Sequence, residues 1–282
     1  MKIGIAGLGL IGGSFAKAIK KYTCHEVYGH DISEDVLRRA EFDHAIDGRL
    51  NGDVLSRCDI IIVALYPADT VSYIKENASR FPKEAVVMDC CGVKEAVVPE
   101  AEKIAEEHGF AFIGGHPMAG IEFSGFEHSR CSLFQNASMI LTPTPRVRPD
   151  ALDKARNLCL SVGFSKIQIS TPEEHDRMIA FTSQLAHVVS SAYVKSDAAL
   201  SHKGFSAGSY RDMTRVARLN EHMWTELFLD NAHYLASEID GLISRLSQYR
   251  DAIKSGNREE IMRLLREGSE RKMLLDGEEY MP

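Results

Sequence analysis

A chain of 282 residues exceeds the roughly 250 that one hydrophobic core usually organises, so two domains are expected. A net charge of −7 and a pI near 5.9 argue against nucleic acid or an anionic membrane as partner, although an acidic protein can still hold a basic pocket for a small molecule. Met1 leads straight into an apolar segment and no apolar run reaches membrane-spanning length, which implies a cytoplasmic protein.

The first thirty residues carry the densest signal. Lys2 to Ala6 reads as a strand and Gly7-Leu8-Gly9-Leu10-Ile11-Gly12-Gly13 as a glycine loop opening an apolar helix (Phe15, Ala18, Ile19). Gly7 permits a tight turn, Gly9 lets backbone N–H groups approach a pyrophosphate, and Gly12 allows the helix to pack closely on the sheet. About 20 residues later Asp31 ends a second strand, Glu26 to His30, where its carboxylate can accept both hydroxyls of an adenine ribose. No basic residue stands immediately beside Asp31 to receive a 2′-phosphate, so NAD is expected rather than NADP. Gly7, Leu8, Gly9, Leu10, Ile11, Gly12 and Asp31 form the expected cofactor loop.

Strands and helices then alternate. Asp59 to Leu65 is a continuous apolar run, as for a parallel strand covered on both faces, and Tyr66-Pro67 ends it. A helix over about 68–80, a strand over 85–89, a helix from about Lys94 to Glu107 stopped by Gly109, and strands at 110–113, 138–141 and 165–169 complete an open sheet. The fold class is an α/β Rossmann-type doubly wound sheet followed by an all-α domain, with the division at 1–170 and 171–282. Thr171-Pro172-Glu173-Glu174 is a capping box at that division.

Beyond it one helix is expected from about Glu173 to Leu200. Another, from Asn220, carries Phe228, Ala232, Leu235, Ile239, Leu242, Leu246, Tyr249 and Ile253 in alternating steps of four and three. That is a heptad seam, either intrachain or shared between two subunits. Asn257 with Glu260 caps a last helix.

Ligands of an open α/β sheet bind outside the carboxyl ends of its strands. That rule selects the glycine loop, Asp31, Leu65 and Tyr66, Asp89 to Gly92, and Gly114-Gly115-His116. His116, expected just after a strand and among small residues, can accept a proton near neutral pH as an imidazole. His175-Asp176 looks like a metal-ligand dipeptide but has no second cluster, and reads as a polar helix face. The six cysteines (Cys24, Cys58, Cys90, Cys91, Cys131, Cys159) lack C-x-x-C spacing and read as free thiols, so no metal is expected.

Three segments together resemble the prephenate/arogenate dehydrogenases of tyrosine biosynthesis. They are Gly115-His116-Pro117-Met118-Ala119-Gly120 continuing to Glu122 and Ser124-Gly125, then Ser183-Gln184-Leu185-Ala186-His187, then Asp212-Met213-Thr214-Arg215 with Met223-Trp224 downstream. The likeness spans essentially the whole chain. It implies NAD-dependent oxidative decarboxylation of prephenate, or of arogenate, by a homodimer joined through its C-terminal helices.

By the same resemblance His116 and Arg215 are the catalytic residues, His116 accepting the hydrogen bond of the substrate hydroxyl and Arg215 binding the ring carboxylate. His187 and Ser183 would meet the substrate, and Glu122 and Asp212 would form an acidic gate near Arg215. Leu65, Tyr66 and Gly92, at or near strand ends, are expected beside the cofactor. Two positions depart from the family pattern. Gly92 stands where a serine or threonine hydroxyl commonly supports the histidine, and Ser183-Gln184-Leu185-Ala186-His187 replaces the common S-H-L-P-H. Two rivals are a β-hydroxyacid or imine reductase, whose G-x-x-G-x-G-x-x-x-K-x-x-N signature is missing, and a NAD-binding sensor without turnover.

Overall fold

The computed structural model describes residues 1–121 and 123–277. Eight strands form one sheet in the order β3-β2-β1-β4-β5-β6-β7-β8. They are β1 (Lys2–Ala6), β2 (Glu26–His30), β3 (Gly48–Arg49), β4 (Ile60–Val63), β5 (Val86–Asp89), β6 (Ala111–Pro117), β7 (Ser138–Pro143) and β8 (Lys166–Ile169). Every neighbouring pair is parallel except β6 with β7.

β4 shows why its sequence is uniformly apolar: Ile60, Ile61, Ile62 and Val63 are all fully buried. Because side chains alternate across a sheet, Ile60 and Ile62 join Ile3, Ile5 and Met88 on one face. Ile61 and Val63 join Val87 and Phe112 on the other. Helix α1 (Leu10–Tyr22) covers the first face with Phe15 and Ile19, and Phe15 meets Phe134 and Phe164. Helices α4 (Pro67–Asn77) and α5 (Val98–His108) cover the second with Ile74 and Ile104. Between these elements lie α2 (Glu34–Phe42) and α3 (Gly52–Leu55), and α6 (Pro149–Ser161) precedes β8.

Two local differences from the sequence reading shape the site. The strand expected at 110–113 runs on to Pro117, so His116 lies within β6, opposite Ile140 of β7. It continues because Gly114 and Gly115 allow the sheet to close tightly there: a Cβ on Gly115 would stand 2.5 Å from the Asp89 carbonyl oxygen. The helix expected from Lys94 begins at Val98, because Lys94 turns inward and is fully buried.

After β8 the described residues are helical. Thr171 accepts the Glu174 N–H as the cap of α7 (Pro172–Ile179), a wide π turn spans Ala180–Gln184, and α8 (Leu185–Tyr193) follows. The single helix expected over 173–200 is thus divided and ends early. The helix expected from Asn220 is divided as well, into α10 (Glu221–Asp230) and α11 (Ala232–Lys254). Asn231 causes that break, since its buried amide donates to the Asp176 carbonyl at 2.9 Å and to Gln184 Oε1 at 2.7 Å instead of continuing a helical face. Helix α9 (Gly208–Thr214) precedes α10, and α12 (Arg258–Asp276), capped by Asn257, ends the described chain.

The chain forms two compact units, residues 1–232 and 233–282. The first continues past the end of strand structure at Ile169, where Asp176 of α7 accepts from the loop after β5, His175 meets His116, and Leu227 of α10 lies beside Gly92. The second is a helical hairpin in which Leu235, Ala252 and Leu264 are buried and the Tyr249 hydroxyl donates to the Leu264 carbonyl.

Candidate active site

The glycine loop has the form a dinucleotide requires. Gly7 adopts φ +84°, a left-handed conformation that favours glycine, and a Cβ on Gly12 would lie 1.8 Å from the Gly7 carbonyl oxygen. The Cβ direction of Gly9 is open. Helix α1 starts there without a side-chain cap and without an acid in its first turn, which leaves its positive end for an anion. Asp31 is fixed at the end of β2 by the N–H of Leu8 (2.8 Å) and of Ser33 (2.9 Å), one to each oxygen, so each oxygen keeps capacity for a ribose hydroxyl. Leu8 serves through that N–H, its side chain being buried over Gly29. Leu65 packs against Gly7, Leu10 and Ile11 are half-buried, and Tyr66, next to Leu65 in sequence, is exposed. These residues fit NAD.

At the end of β5 the chain builds a buried ionic clamp. The Asp89 carboxylate accepts from the N–H of Cys91 (2.8 Å), the N–H of Gly115 (3.0 Å) and the Lys94 ammonium. Lys94 also donates to the Gly115 carbonyl at 2.7 Å. Two charges at full burial persist only when hydrogen bonds replace lost water, and here they do. The clamp locks the loop 90–95 onto β6, directly before His116.

His116 Nδ1 lies 2.8 Å from His175 Nε2, and His175 Nδ1 lies 2.6 Å from Asp176 Oδ1. Asp176 also accepts the backbone N–H groups of Lys94 and Glu95, each at 2.8 Å. His175 and Asp176 are buried, so their reading as a polar helix face is overturned. Facing the loop 90–95, they exchange solvent for hydrogen bonds. Burial holds His116 well below the usual histidine range, with the neighbouring His175 and the Lys94 cation acting in the same direction. Burial also lowers His175, against the opposing pull of Asp176. Gly92 is half-buried, and a Cβ there would stand 3.4 Å from Leu227 and 4.0 Å from His116 Nε2.

A second cluster follows on α8 to α10. His187 packs on Trp224 with ring centroids 4.0 Å apart and the planes tilted by 33°, and its Nδ1 donates to the Ser183 carbonyl at 2.8 Å. Burial lowers the His187 pKa, and the nearby Arg215 cation lowers it further. Arg215 is exposed at the end of α9 and makes no ion pair among the described residues; Asp212 is exposed one turn earlier. Glu122 lies outside the described residues.

The two clusters meet through α10, where Trp224 and Leu227, three apart, share a helix face. Gln184 of the π turn donates to the Leu227 carbonyl at 2.9 Å. His116, Gly92, His187 and Arg215 therefore belong to one compact unit. His175, Asp176 and Lys94 join them without having been selected from sequence, and Asp89, expected at a strand end, is the carboxylate of the clamp. For the first pair the available signal was an H-D dipeptide inside the first turn after a capping box.

Among the described residues no group of His, Cys, Asp and Glu could hold a metal, and no helix is long and apolar enough to cross a membrane. The cysteines are free, and burial pushes the thiols of Cys90 and Cys91 up.

Family models for the nucleotide-binding domain and the dimerization domain of prephenate dehydrogenase match residues 15–168 and 171–267. The prephenate dehydrogenase of Bacillus subtilis is 31% identical over 270 residues, 92% of this chain and 72% of that protein. Two solved structures share the fold. Prephenate dehydrogenase from Aquifex aeolicus, in complex with hydroxyphenyl propionate and NAD+, aligns with TM-score 0.85 at 27% identity over 98% of both chains. Arogenate dehydrogenase from Synechocystis aligns with TM-score 0.82 at 27% identity over 96% of this chain and 99% of that one. With both family models matched in order along a Rossmann-type sheet and its helical continuation, this chain belongs to the prephenate dehydrogenase family.

Proposed function

We propose that this protein catalyses the NAD-dependent oxidative decarboxylation of prephenate to 4-hydroxyphenylpyruvate. The observation that carries the reading is His116, half-buried at the carboxyl edge of the sheet that bears the dinucleotide loop and held below the usual histidine range. When bound, NAD+ supplies the acceptor for the hydride that leaves the carbinol carbon. His116 Nε2 accepts the hydroxyl proton as that carbon becomes a carbonyl. Departure of the ring carboxylate as CO2 then returns its electron pair to the ring, which aromatises, and the phenolate oxygen takes a proton back. Arg215 grips the ring carboxylate, where a guanidinium can offer two donors. His187 and Ser183 meet the side chain, and Glu122 with Asp212 sets the charge around Arg215.

In this reading residues 1–170 hold the cofactor, while 171–282 complete the substrate pocket and join two copies as a homodimer in the cytoplasm. The dimerization-domain match and the apolar residues on α11 and α12 support the homodimer.

A second reading, arogenate as substrate, is favoured by one observation. The Ser183 carbonyl cannot donate, so His187 Nδ1 carries the proton and its Nε2 is an acceptor, suited to an ammonium. NADH formation measured with prephenate and arogenate side by side, and with NADP+ in place of NAD+, tests all of this. Turnover of prephenate with preference for NAD+ is expected. Turnover of arogenate alone selects the second reading, and none with either leaves a NAD-binding sensor.

A further inference from the structure

His116 has lost the hydroxyl neighbour that the family pattern places at position 92, and the structure supplies a different support. Its origin lies in Asp176. A carboxylate has no proton to give, and this one already accepts two backbone N–H groups from Lys94 and Glu95. The His175 nitrogen 2.6 Å from it, Nδ1, must therefore carry the hydrogen. Neutral His175 is then left with a lone pair on Nε2. His116 Nδ1 stands 2.8 Å from that lone pair, so it too must carry a hydrogen. The remaining nitrogen of His116, Nε2, is bare, and it is the one nearest Gly92.

We propose that His175, anchored by Asp176, is a positioning residue that holds His116 in the Nδ1–H tautomer, leaving Nε2 as the atom that accepts the substrate hydroxyl proton. The assignment rests on the function proposed above for its last clause only. The logic extends by one imidazole the arrangement in which a buried carboxylate fixes the tautomer of a catalytic histidine. When a proton reaches Nε2, the cationic ring keeps donating Nδ1–H to His175, and Asp176 lies one hydrogen bond further on to stabilise the charge. The charged groups around the pair are Asp89 and Lys94 from the β5 end, Asp176 from α7, and Asp230 from α10. Lys94 is committed to Asp89 and the Gly115 carbonyl, so it does not compete for either ring. The geometry also explains why the capping box precedes this dipeptide so closely. With Thr171 fixing the start of α7, His175 and Asp176 fall in its first turn and a half, against the loop 90–95.

The test reads the tautomer directly. In protein labelled with 15N-histidine, two-bond 1H–15N spectra separate protonated from bare ring nitrogens, and His116→Asn identifies the His116 signals. Wild type is expected to show His116 with Nδ1 protonated and Nε2 bare. His175→Phe should shift His116 toward the Nε2–H form and lower kcat by up to the 10²–10⁴-fold, roughly, that a general base contributes, with NAD+ affinity unchanged. His175→Gln, whose amide oxygen can accept from Nδ1–H, should recover part of both. An Nε2–H tautomer in the wild type overturns the assignment, as does wild-type kcat in His175→Phe. Should His175→Phe fail to fold, the wild-type spectrum decides alone. The spectrum needs no turnover, so inactivity on prephenate and arogenate would remove the function and leave the tautomer assignment to be judged separately.

Discussion

Arg215 and the three site histidines differ in what their surroundings do to them. Arg215 is exposed, and its contribution is a charge offered to a ligand. Arg215→Ala should raise KM for the substrate roughly tenfold or more, the worth of a charged hydrogen bond, and leave NAD+ affinity unchanged. Equal losses in both would remove its assignment. His116, His175 and His187 are all held below the ordinary value of 6.5, with burial the largest cause in each. Their folded pKa values lie below the unfolded one, so the unfolded chain binds more protons between the two. Stability is full above about pH 6.5 and is lost as pH falls through the folded values. The denaturant midpoint should be flat above that pH and decline below it, and the acid limb of kcat/KM should lie below 6.5 because His116 stays neutral there. An acid limb above 6.5 would sink the role of His116 as the base. The sequence made His116, His187 and Arg215 visible because motif and position coincide there. It hid His175 and Asp176, since whether an H-D dipeptide faces solvent or core depends on which loop packs across it.

At the scale of elements, the sheet was legible for a physical reason. Buried parallel strands are apolar on both faces, and Ile60 to Val63 needs no partner to be recognised. Strand β3, two residues long, has no pattern to read, and β6 was cut short because Gly114 and Gly115 look like loop residues. The helix breaks at Ala180–Gln184 and Asn231 contain neither glycine nor proline; side-chain hydrogen bonds between distant segments set them. The loop 90–95 yields the prediction at this scale. Gly92 does not adopt positive φ, and a Cβ there would make ordinary contact with Leu227 at 3.4 and 3.7 Å. Gly92→Ser should therefore fold normally and place a hydroxyl near His116 Nε2, leaving kcat unchanged or raised. A large loss of kcat in a folded variant would mean that the glycine itself is required, for instance to leave room beside the cofactor.

At the scale of the whole molecule, the last two helices leave apolar residues exposed. On α11, Ile243, Leu246 and Ile253 are 55%, 58% and 63% exposed, and on α12 Leu265, Leu274 and Leu275 are 57%, 70% and 76% exposed. Scattered apolar residues are ordinary on a surface, but Leu246 and Ile253, seven apart, share one face of α11 and a single chain leaves both in water. Only Leu235, Ala252 and Leu264 of these helices are buried, so the hairpin satisfies a small part of its own apolar surface. A second copy related by a two-fold axis would present the same seam in return. We therefore expect a dimer by light scattering at micromolar concentration. Each fully buried Leu or Ile contributes roughly 1.5–3 kcal/mol, so the double variant Leu246→Ser, Ile253→Ser should weaken association by a factor of about 10² or more. Both side chains are exposed within one chain, so the folded monomer should keep its NAD+ affinity. A wild-type monomer at that concentration, or a double variant that dimerises as tightly as wild type, would place the contact elsewhere.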